Sequence, residues 1–322
     1  MIHDRERAGL RVLLPGLMLV AALTGPVPSP GEPPSRSLPQ AAGVERVISV
    51  VPAATETLFA MGAGDLMVGV GSYDRWPPAA RELPRVGAYL DPDLERMIAL
   101  RPDLAVIDAG QRDLARQLDA AGIGVFRFRH GGLDDAIRTM RELGAAVGRR
   151  SAGEALAAAV REDLEALERR LADRPRPEVL LVFGRSGGFG DLWVVGGRQF
   201  LHEILVIVGG RNVFGEVERL SFQVGLETVL SRRPDVVLEL TPGGTGGDEE
   251  GAGERGTPGG DAERAVRQQW RRLPGFEDVR VELLPPDALV PGPRMPEVAR
   301  HMAEMLHGAD ALAEDRGKDG DG

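Results

Sequence analysis

The chain of 322 residues contains no cysteine. That one absence excludes disulfides, thiolate metal sites, iron–sulfur clusters, a cysteine nucleophile and a lipid-modified N-terminal cysteine. Aromatic residues are scarce, at 4% of the chain, so each ring has to be accounted for. A basic excess is also lacking: 39 Lys and Arg against 49 Asp and Glu leave a net charge of −10. Nucleic-acid binders need a basic face to displace counterions from phosphate, so that class is disfavoured. The five histidines, His3, His130, His202, His301 and His307, form no i, i+4 pair, which removes the usual helical metal-ligand spacing.

Catalytic signatures are missing too. There is no Walker loop and no paired-carboxylate motif, and Gly184-Arg-Ser-Gly-Gly188, which spells Gly-x-Ser-x-Gly, is not followed by the helix that a nucleophile elbow needs. Gly184–Gly190 follows a strand as a nucleotide loop would, but Leu192-Trp-Val-Val comes next. No helix N-terminus is therefore offered to a pyrophosphate. An exported α/β enzyme stays as the competing class, to be recognised by turnover of a bound cofactor.

What is present suffices for one large core or two ordinary ones, with 43% apolar and 27% charged residues. Residues 1–43 read as a secretory signal and Pro-rich leader: Arg5, Arg7 and Arg11, then an apolar run from Val12 to Leu23, then Gly25 to Pro39. That run is shorter than the ~20 residues of a membrane-spanning helix. A disordered extension is the alternative. If the segment is a signal, the protein is exported and unlipidated, and its mature form starts between Leu23 and Gly43. Residues 242–261 are dominated by Gly with scattered acids and read as a mobile insert; residues 308–322 read as a solvated acidic tail.

Between these segments, short β-branched runs alternate with helical patterns. Val47–Val51, Met67–Val70, Leu104–Ile107 and Val125–Phe128 read as strands, with helices at Ala53–Met61, Gln111–Ala121 and Leu133–Val147. This defines an N-terminal α/β lobe over 44–150. One long helix follows in the linking segment 151–174, with Leu156, Val160, Leu164, Leu167 and Leu171 on one face. Ser151 and Glu154 suggest a capping box at its start, and Pro175 and Pro177 end it. A second α/β series fills 175–307: strands at Val179–Phe183, Trp193–Val195, Val236–Leu240 and Val279–Leu284, helices at Arg198–Val208 and Met295–His307. The expected architecture is two Rossmann-like lobes with mainly parallel sheets, joined by one backbone helix.

An internal repeat supports two lobes. Leu94-Glu95, a short apolar helix, Arg101-Pro102-Asp103 and a strand recur as Leu226-Glu227, a helix, Arg233-Pro234-Asp235 and a strand. From Glu95 to Glu227 and from Pro102 to Pro234 the spacing is 132 residues. Arg-Pro-Asp ahead of a strand is also ordinary turn chemistry.

The order of several segments carries a resemblance. They are Ser49-Val-Val-Pro-Ala-Ala-Thr-Glu56, Ser72-Tyr-Asp-Arg-Trp-Pro-Pro78, Leu94-Glu-Arg with Arg101-Pro-Asp103, and Phe200-Leu-His-Glu-Ile-Leu205. Gly209-Gly-Arg-Asn-Val-Phe214, Leu226-Glu with Arg233-Pro-Asp235, and Pro291-Gly-Pro-Arg294 complete the set. Over roughly 44–307 the chain resembles the cobalamin- and siderophore-type (class III) periplasmic substrate-binding proteins of ABC importers. Ser-Tyr-x-x-aromatic-Pro-Pro and Pro-Gly-Pro-Arg lean towards the corrinoid binders of vitamin B12 type. The resemblance implies a monomer without resident cofactor that holds a cobalt corrinoid, or else a ferric siderophore or haem, between its lobes. It implies delivery to an ABC permease dimer in the inner membrane, with Glu95 and Glu227 meeting permease arginines. Both glutamates would equally suit the first turn of a short helix, where the dipole favours a carboxylate.

For the ligand, Tyr73, Trp76 and Tyr89 are the first candidates, since flat rings pack on macrocycle faces; a small aromatic core beneath the loop is the alternative. Trp193 and Phe222 are weaker candidates, and Ser221 stands where corrinoid binders can carry a Trp. Arg294 would either pair with a ligand phosphate or carboxylate or cap local carbonyls. Pro52 and Thr55, at the start of the first helix, would either meet a polar ligand edge or serve the cap. His130 ends a strand within reach of the cleft, where an axial bond to cobalt and ordinary surface polarity are the two readings.

Overall fold

The computed structural model describes residues 43–186, 189–240 and 261–312. The signal and leader expected over 1–43, except Gly43, and the insert expected at 242–261, except Asp261, lie outside the described residues. The first lobe is a four-stranded sheet of β1 (Val47–Ser49), β2 (Met67–Val70), β3 (Leu104–Asp108) and β4 (Gly124–Phe128), in the order β2-β1-β3-β4 and parallel throughout. β1 and β3 are buried along their whole length, as strands covered on both faces must be. On one face pack α1 (Pro52–Ala60) and the later part of α4 (Leu133–Ala146); on the other pack α2 (Leu94–Ala99) and α3 (Arg112–Ala120).

Then comes α5 (Arg150–Leu171), 22 residues or ~33 Å long. Its buried stripe of Gly153, Ala157, Val160, Leu164, Leu167 and Leu171 repeats at alternating spacings of four and three, one face of a helix. The capping box expected at Ser151 is not formed: the helix begins one residue earlier, with Arg149 as N-cap and no side-chain cap. Gly148, at a φ of 70°, reverses the chain so tightly after α4 that Ser151 already lies inside the first turn.

The second lobe contains β5 (Glu178–Ser186), β6 (Asp191–Val195), α6 (Phe200–Ile207), β7 (Arg211–Asn212), β8 (Ser221–Val224), α7 (Leu226–Arg232), β9 (Val236–Leu240), α8 (Asp261–Arg271), β10 (Arg280–Leu284) and α9 (Met295–His307). Its sheet runs β10-β9-β5-β6-β8, with β7 beside the start of β5. Here the expectation of mainly parallel pairing holds on one flank only: β10, β9, β5 and β7 pair in parallel, whereas β6 runs against both of its neighbours, β5 and β8. The reason is local. β6 follows β5 in the chain after only a short connection and pairs with it at Val182 and from Gly184 to Ser186, and such neighbouring strands run antiparallel. The tail expected to be disordered from Gly308 instead stays ordered through Leu312, because Ala311 is buried against the core around α9.

The repeat is real at atomic detail. Among the described residues, Arg101 and Arg233 are the non-glycine residues with positive φ, 46° and 47°. Asp103 accepts from the Arg46 amide at 2.9 Å, and Asp235 accepts from the Glu178 amide at 2.8 Å. In each lobe the Arg-Pro-Asp turn therefore ends a helix and ties down the start of the neighbouring central strand.

The two lobes share structure through α4 and α5. Ala136, Ile137 and Met140 on α4 belong to the core of the second lobe, while Leu143, Ala146 and Val147 belong to that of the first. The helices approach so closely that a Cβ on Gly153 would lie 2.7 Å from the Met140 carbonyl oxygen and 3.0 Å from the Gly144 Cα. Backbone atoms cannot step aside as a side chain can. Gly153→Ala should therefore lower stability by about 1–3 kcal/mol through overpacking, read as a shifted urea midpoint; Gly184→Ala, where nothing lies within 4 Å, should shift it much less.

Candidate functional site

Parallel α/β sheets bind ligands beyond the carboxyl ends of their strands. In the first lobe that edge carries Pro52 after β1, the Gly71–Pro78 segment after β2, Asp108 and Gly110 after β3, and His130 after β4. The Gly71–Pro78 segment holds Tyr73 and Trp76, and the Trp76–Pro77 peptide is cis. Arg85 fastens it from below, donating to the carbonyls of Gly71 at 2.9 Å and Asp74 at 2.7 Å. The Ser72 amide donates to Gly87 at 2.9 Å, which joins this loop to the tight turn bearing Tyr89. That turn is closed by a bridge between Gly87 and Pro92 and by Gln111, which donates to the Tyr89 carbonyl at 2.8 Å. Beside both loops lies a hollow of about 670 Å³ lined by Ser72, Arg85, Gly87, Asp91 and Glu95 among others.

The rings on these loops are exposed: Tyr73 by 57%, Trp76 by 46% and Tyr89 by 49%. They do not form a small core under the loop. Leu90 beside them is 90% exposed, an apolar tip that carried no signal in a sequence where leucine is common. In the second lobe Trp193 is also exposed, with its ring 5.8 Å from that of Phe183. Phe222 faces the other way, opposite Val194 and against Phe214, so it is placed in the outer core of that lobe.

Arg294 connects the lobes. From the turn before α9 its Nε and Nη2 donate to the two oxygens of Glu56 on α1, at 2.9 and 2.6 Å. Nη1 donates to Asp287 at 2.5 Å, and the guanidinium stands 5.3 Å from the centre of the Trp76 ring. Its recorded partners are thus carboxylates and a ring, with no local carbonyl among them. Glu56 is almost fully buried. Burial raises its pKa more than the guanidinium lowers it, while the two carboxylates outweigh burial and raise that of Arg294. Sequence reasoning assigned Glu56 no role, although an acid among buried Ala53, Ala54 and Leu58 was a signal for a buried partner. A second polar link joins the lobes where Glu203 of α6 accepts from the Leu133 amide at the start of α4.

Beneath the rings, Thr55 and Asp74 are completely buried, and the hydroxyl of one and both carboxyl oxygens of the other lack hydrogen-bond partners among the described residues. Thr55 is therefore covered by the loop it supports. Burial pushes the Asp74 pKa up to about 7, with Thr55 and Arg85 nearby only partly offsetting the rise. A third polar group lies at the ends of β3 and β4: His130 Nε2 is 2.8 Å from Asp108 Oδ2, and the Gly110 amide donates to Oδ1 at 2.7 Å. Burial opposes ionisation of Asp108, but these two hydrogen bonds outweigh it and hold the carboxyl below its ordinary range.

Glu95 and Glu227 occupy matching first-turn positions on α2 and α7, exposed and without an ion pair among the described residues. The Asp93 side chain, not Glu95, caps α2, accepting from the Arg96 amide at 2.9 Å.

The sequence matches the periplasmic binding protein family model over residues 47–261. The chain belongs to that family. It is 33% identical over 196 residues to the vitamin B12-binding protein of Salmonella typhimurium, covering 60% of this chain and 71% of that one. The periplasmic vitamin B12 binding protein of Vibrio cholerae is 25% identical, covers 84% of this chain and 99% of its own, and superposes with a TM-score of 0.63. A periplasmic heme binding protein from Pseudomonas aeruginosa is also 25% identical, with coverages of 83% and 94% and a TM-score of 0.69. The two-lobed α/β architecture of class III periplasmic binding proteins is thus the fold of this chain. Among the described residues, no helix is long and apolar enough to cross a membrane.

Two predictions concern the polar framework. Glu56→Ala strands a mostly buried guanidinium and should cost about 3–5 kcal/mol. Adding Arg294→Ala should recover part of that loss, and a double-mutant cycle by urea denaturation reads the coupling. Asp74 keeps its proton in the native state up to about pH 7, whereas in the unfolded chain it releases it near its ordinary 3.8. Its contribution is therefore full below pH 3.8 and lost as pH rises through 7, a fall on the order of 4 kcal/mol. Asp74→Asn should flatten the stability profile across that window.

Proposed function

We propose that this protein captures a corrinoid of the vitamin B12 type between its lobes and delivers it to an ABC import permease. The observation that carries the reading is the cluster of exposed rings, Tyr73, Trp76 and Tyr89, on two anchored loops of one lobe edge. Rings held in place before binding offer flat apolar area at low entropic cost, as a macrocycle face requires. The vitamin B12-binding relatives support the same choice. Trp193 is placed to contribute from the second lobe. Arg294 contributes by holding Trp76 against its guanidinium, and Pro52 by starting the helix under the ring loop. A second reading, haem or a ferric siderophore in the same place, is favoured by the likeness to the Pseudomonas aeruginosa protein.

The role is binding, not turnover, in a monomer that needs no resident cofactor. Export fits the positive and apolar N-terminal segment, and without cysteine the protein has no thiol for a lipid anchor. Glu95 and Glu227 are the contacts offered to the permease, one from each lobe. Twin exposed carboxylates at equivalent places suit a pseudo-symmetric partner with arginines at its surface.

Titration of the purified protein with cyanocobalamin, monitored by tryptophan fluorescence, should show saturable quenching. Quenching by ferric chelates or haem alone would overturn the corrinoid choice, and conversion of the ligand would overturn the binding role. Single Tyr73→Ala, Trp76→Ala and Tyr89→Ala variants should each weaken binding about tenfold, at the scale of buried aromatic anchors. Reversing the charge at Glu95 and Glu227 together should instead lower transport in reconstituted vesicles; a loss of ligand affinity would place those carboxylates in the pocket.

A further inference from the structure

The side chains of His130 and Asp108 pair with each other and make none of the contacts given above between the lobes; only the Asp108 amide serves a ring loop, donating to the Gln111 side chain that holds the Tyr89 turn. Asp108 is buried at the end of β3, and its Oδ1 is committed to the Gly110 amide at 2.7 Å. Its Oδ2 faces His130 Nε2 at 2.8 Å, while the imidazole is half exposed. The ring also packs edge-on to Phe128, 5.1 Å between centroids. With the Nε2 proton directed at a carboxylate, a neutral ring keeps its lone pair on Nδ1, for which there is no hydrogen-bond partner among the described residues. The Tyr89 hydroxyl lies close by: it and Asp108 Oδ1 are 2.9 and 3.0 Å from the position a Cβ on Gly110 would take. The imidazole and one of the exposed rings thus flank the same carboxylate.

A histidine fixed from behind by a carboxylate is the arrangement that sets ring orientation and raises basicity in metal ligands. Among the described residues, however, no three His, Asp or Glu side chains gather to hold a free ion. One such histidine alone suits a metal that brings its own ring of four ligands and lacks only an axial one. We propose that His130, positioned by Asp108, bonds through Nδ1 to the metal at the centre of the bound macrocycle. This rests on the macrocycle reading given above and adds which face of the cargo is recognised. In a cobalt(III) corrinoid carrying water on that face, the cobalt–water bond breaks and a cobalt–Nδ1 bond forms. The water leaves intact, Nε2 keeps its proton, and no electron moves. A corrinoid capped there by cyanide would not exchange, so the site would discriminate between cargoes by their upper ligand.

The test is titration with aquacobalamin and cyanocobalamin, followed by visible absorption, for the native protein, His130→Ala and Asp108→Asn. Aquacobalamin should change its visible bands on binding the native protein and not on binding His130→Ala. Its affinity should fall about 10–100-fold in Asp108→Asn, and the loss on His130→Ala should be at least tenfold greater for aquacobalamin than for cyanocobalamin. Identical aquacobalamin spectra with native and His130→Ala protein would overturn the proposal while leaving corrinoid capture intact. If neither corrinoid binds, the corrinoid reading fails, and ferric haem decides the rest. A Soret shift lost in His130→Ala upholds the metal bond; an unaltered shift, or no binding, overturns it.

Discussion

A buried ion pair between chain-distant residues, Glu56 and Arg294, organises the face on which the rest depends. Two charges withdrawn from water are expensive, and their mutual attraction recovers that cost only with good geometry and further hydrogen bonds. Both conditions are met: the guanidinium grips both oxygens of Glu56 and spends another donor on Asp287. Its remaining broad face lies by Trp76, so the clamp between lobes also sets the position of an exposed ring. Hydrophobic contact could have joined the same surfaces, but without direction. A bidentate pair fixes distance and angle together.

That clamp acts with two other constraints. The helices α4 and α5 cross at glycines too close for any side chain, and residues of α4 are shared between the two cores. Glu203 caps the start of α4 from the opposite lobe. Lobes joined by a shared helix pair, a cross-lobe cap and a buried ion pair have little freedom to swing, since a large movement would have to break these contacts together. Recognition in this fold therefore relies on preformed surfaces. Preorganisation of that kind lowers the entropy lost on binding, which suits a rigid, flat guest.

How much of this was legible in the sequence follows from the range of the forces involved. The repeat was legible because it is local: Leu-Glu, Arg-Pro-Asp and a buried strand each act within a few residues, and they recur with the same left-handed arginine and the same aspartate cap. The long stripe on α5 was legible because helical periodicity alone specifies it. The antiparallel flank was not. β8 is only four residues long, half-exposed and without strict alternation, and its identity comes from pairing with β6. Likewise, among the described side chains of α8 Val266 and Trp270 are the buried ones, too sparse a pattern to read before the core beneath it is known. Within the site, the rings stood out through scarcity. Glu56, Asp74 and Asp108 did not, because their roles arise from burial and from partners up to 238 residues away.

The scarcity of rings carries an argument of its own. The chain has three Trp and two Tyr, and only Trp270 is buried; Tyr73, Trp76, Tyr89 and Trp193 are all exposed. Large aromatic side chains contribute most to stability when they are buried, and clustered exposed ones invite unwanted association. A sequence that fills its cores with Val, Leu, Ile and Ala yet leaves its tyrosines in solvent gains no folding energy from those placements. The loops bearing them are also costly to build, since the segment with Tyr73 and Trp76 buries a carboxyl group whose desolvation outweighs the groups around it and pushes its pKa up to about 7. Strain and exposure concentrated on one edge, over an otherwise well-satisfied scaffold, is what binding surfaces require and folding alone does not. Under the proposed function, the energy withheld from the free protein at these rings would be returned when a flat guest covers them.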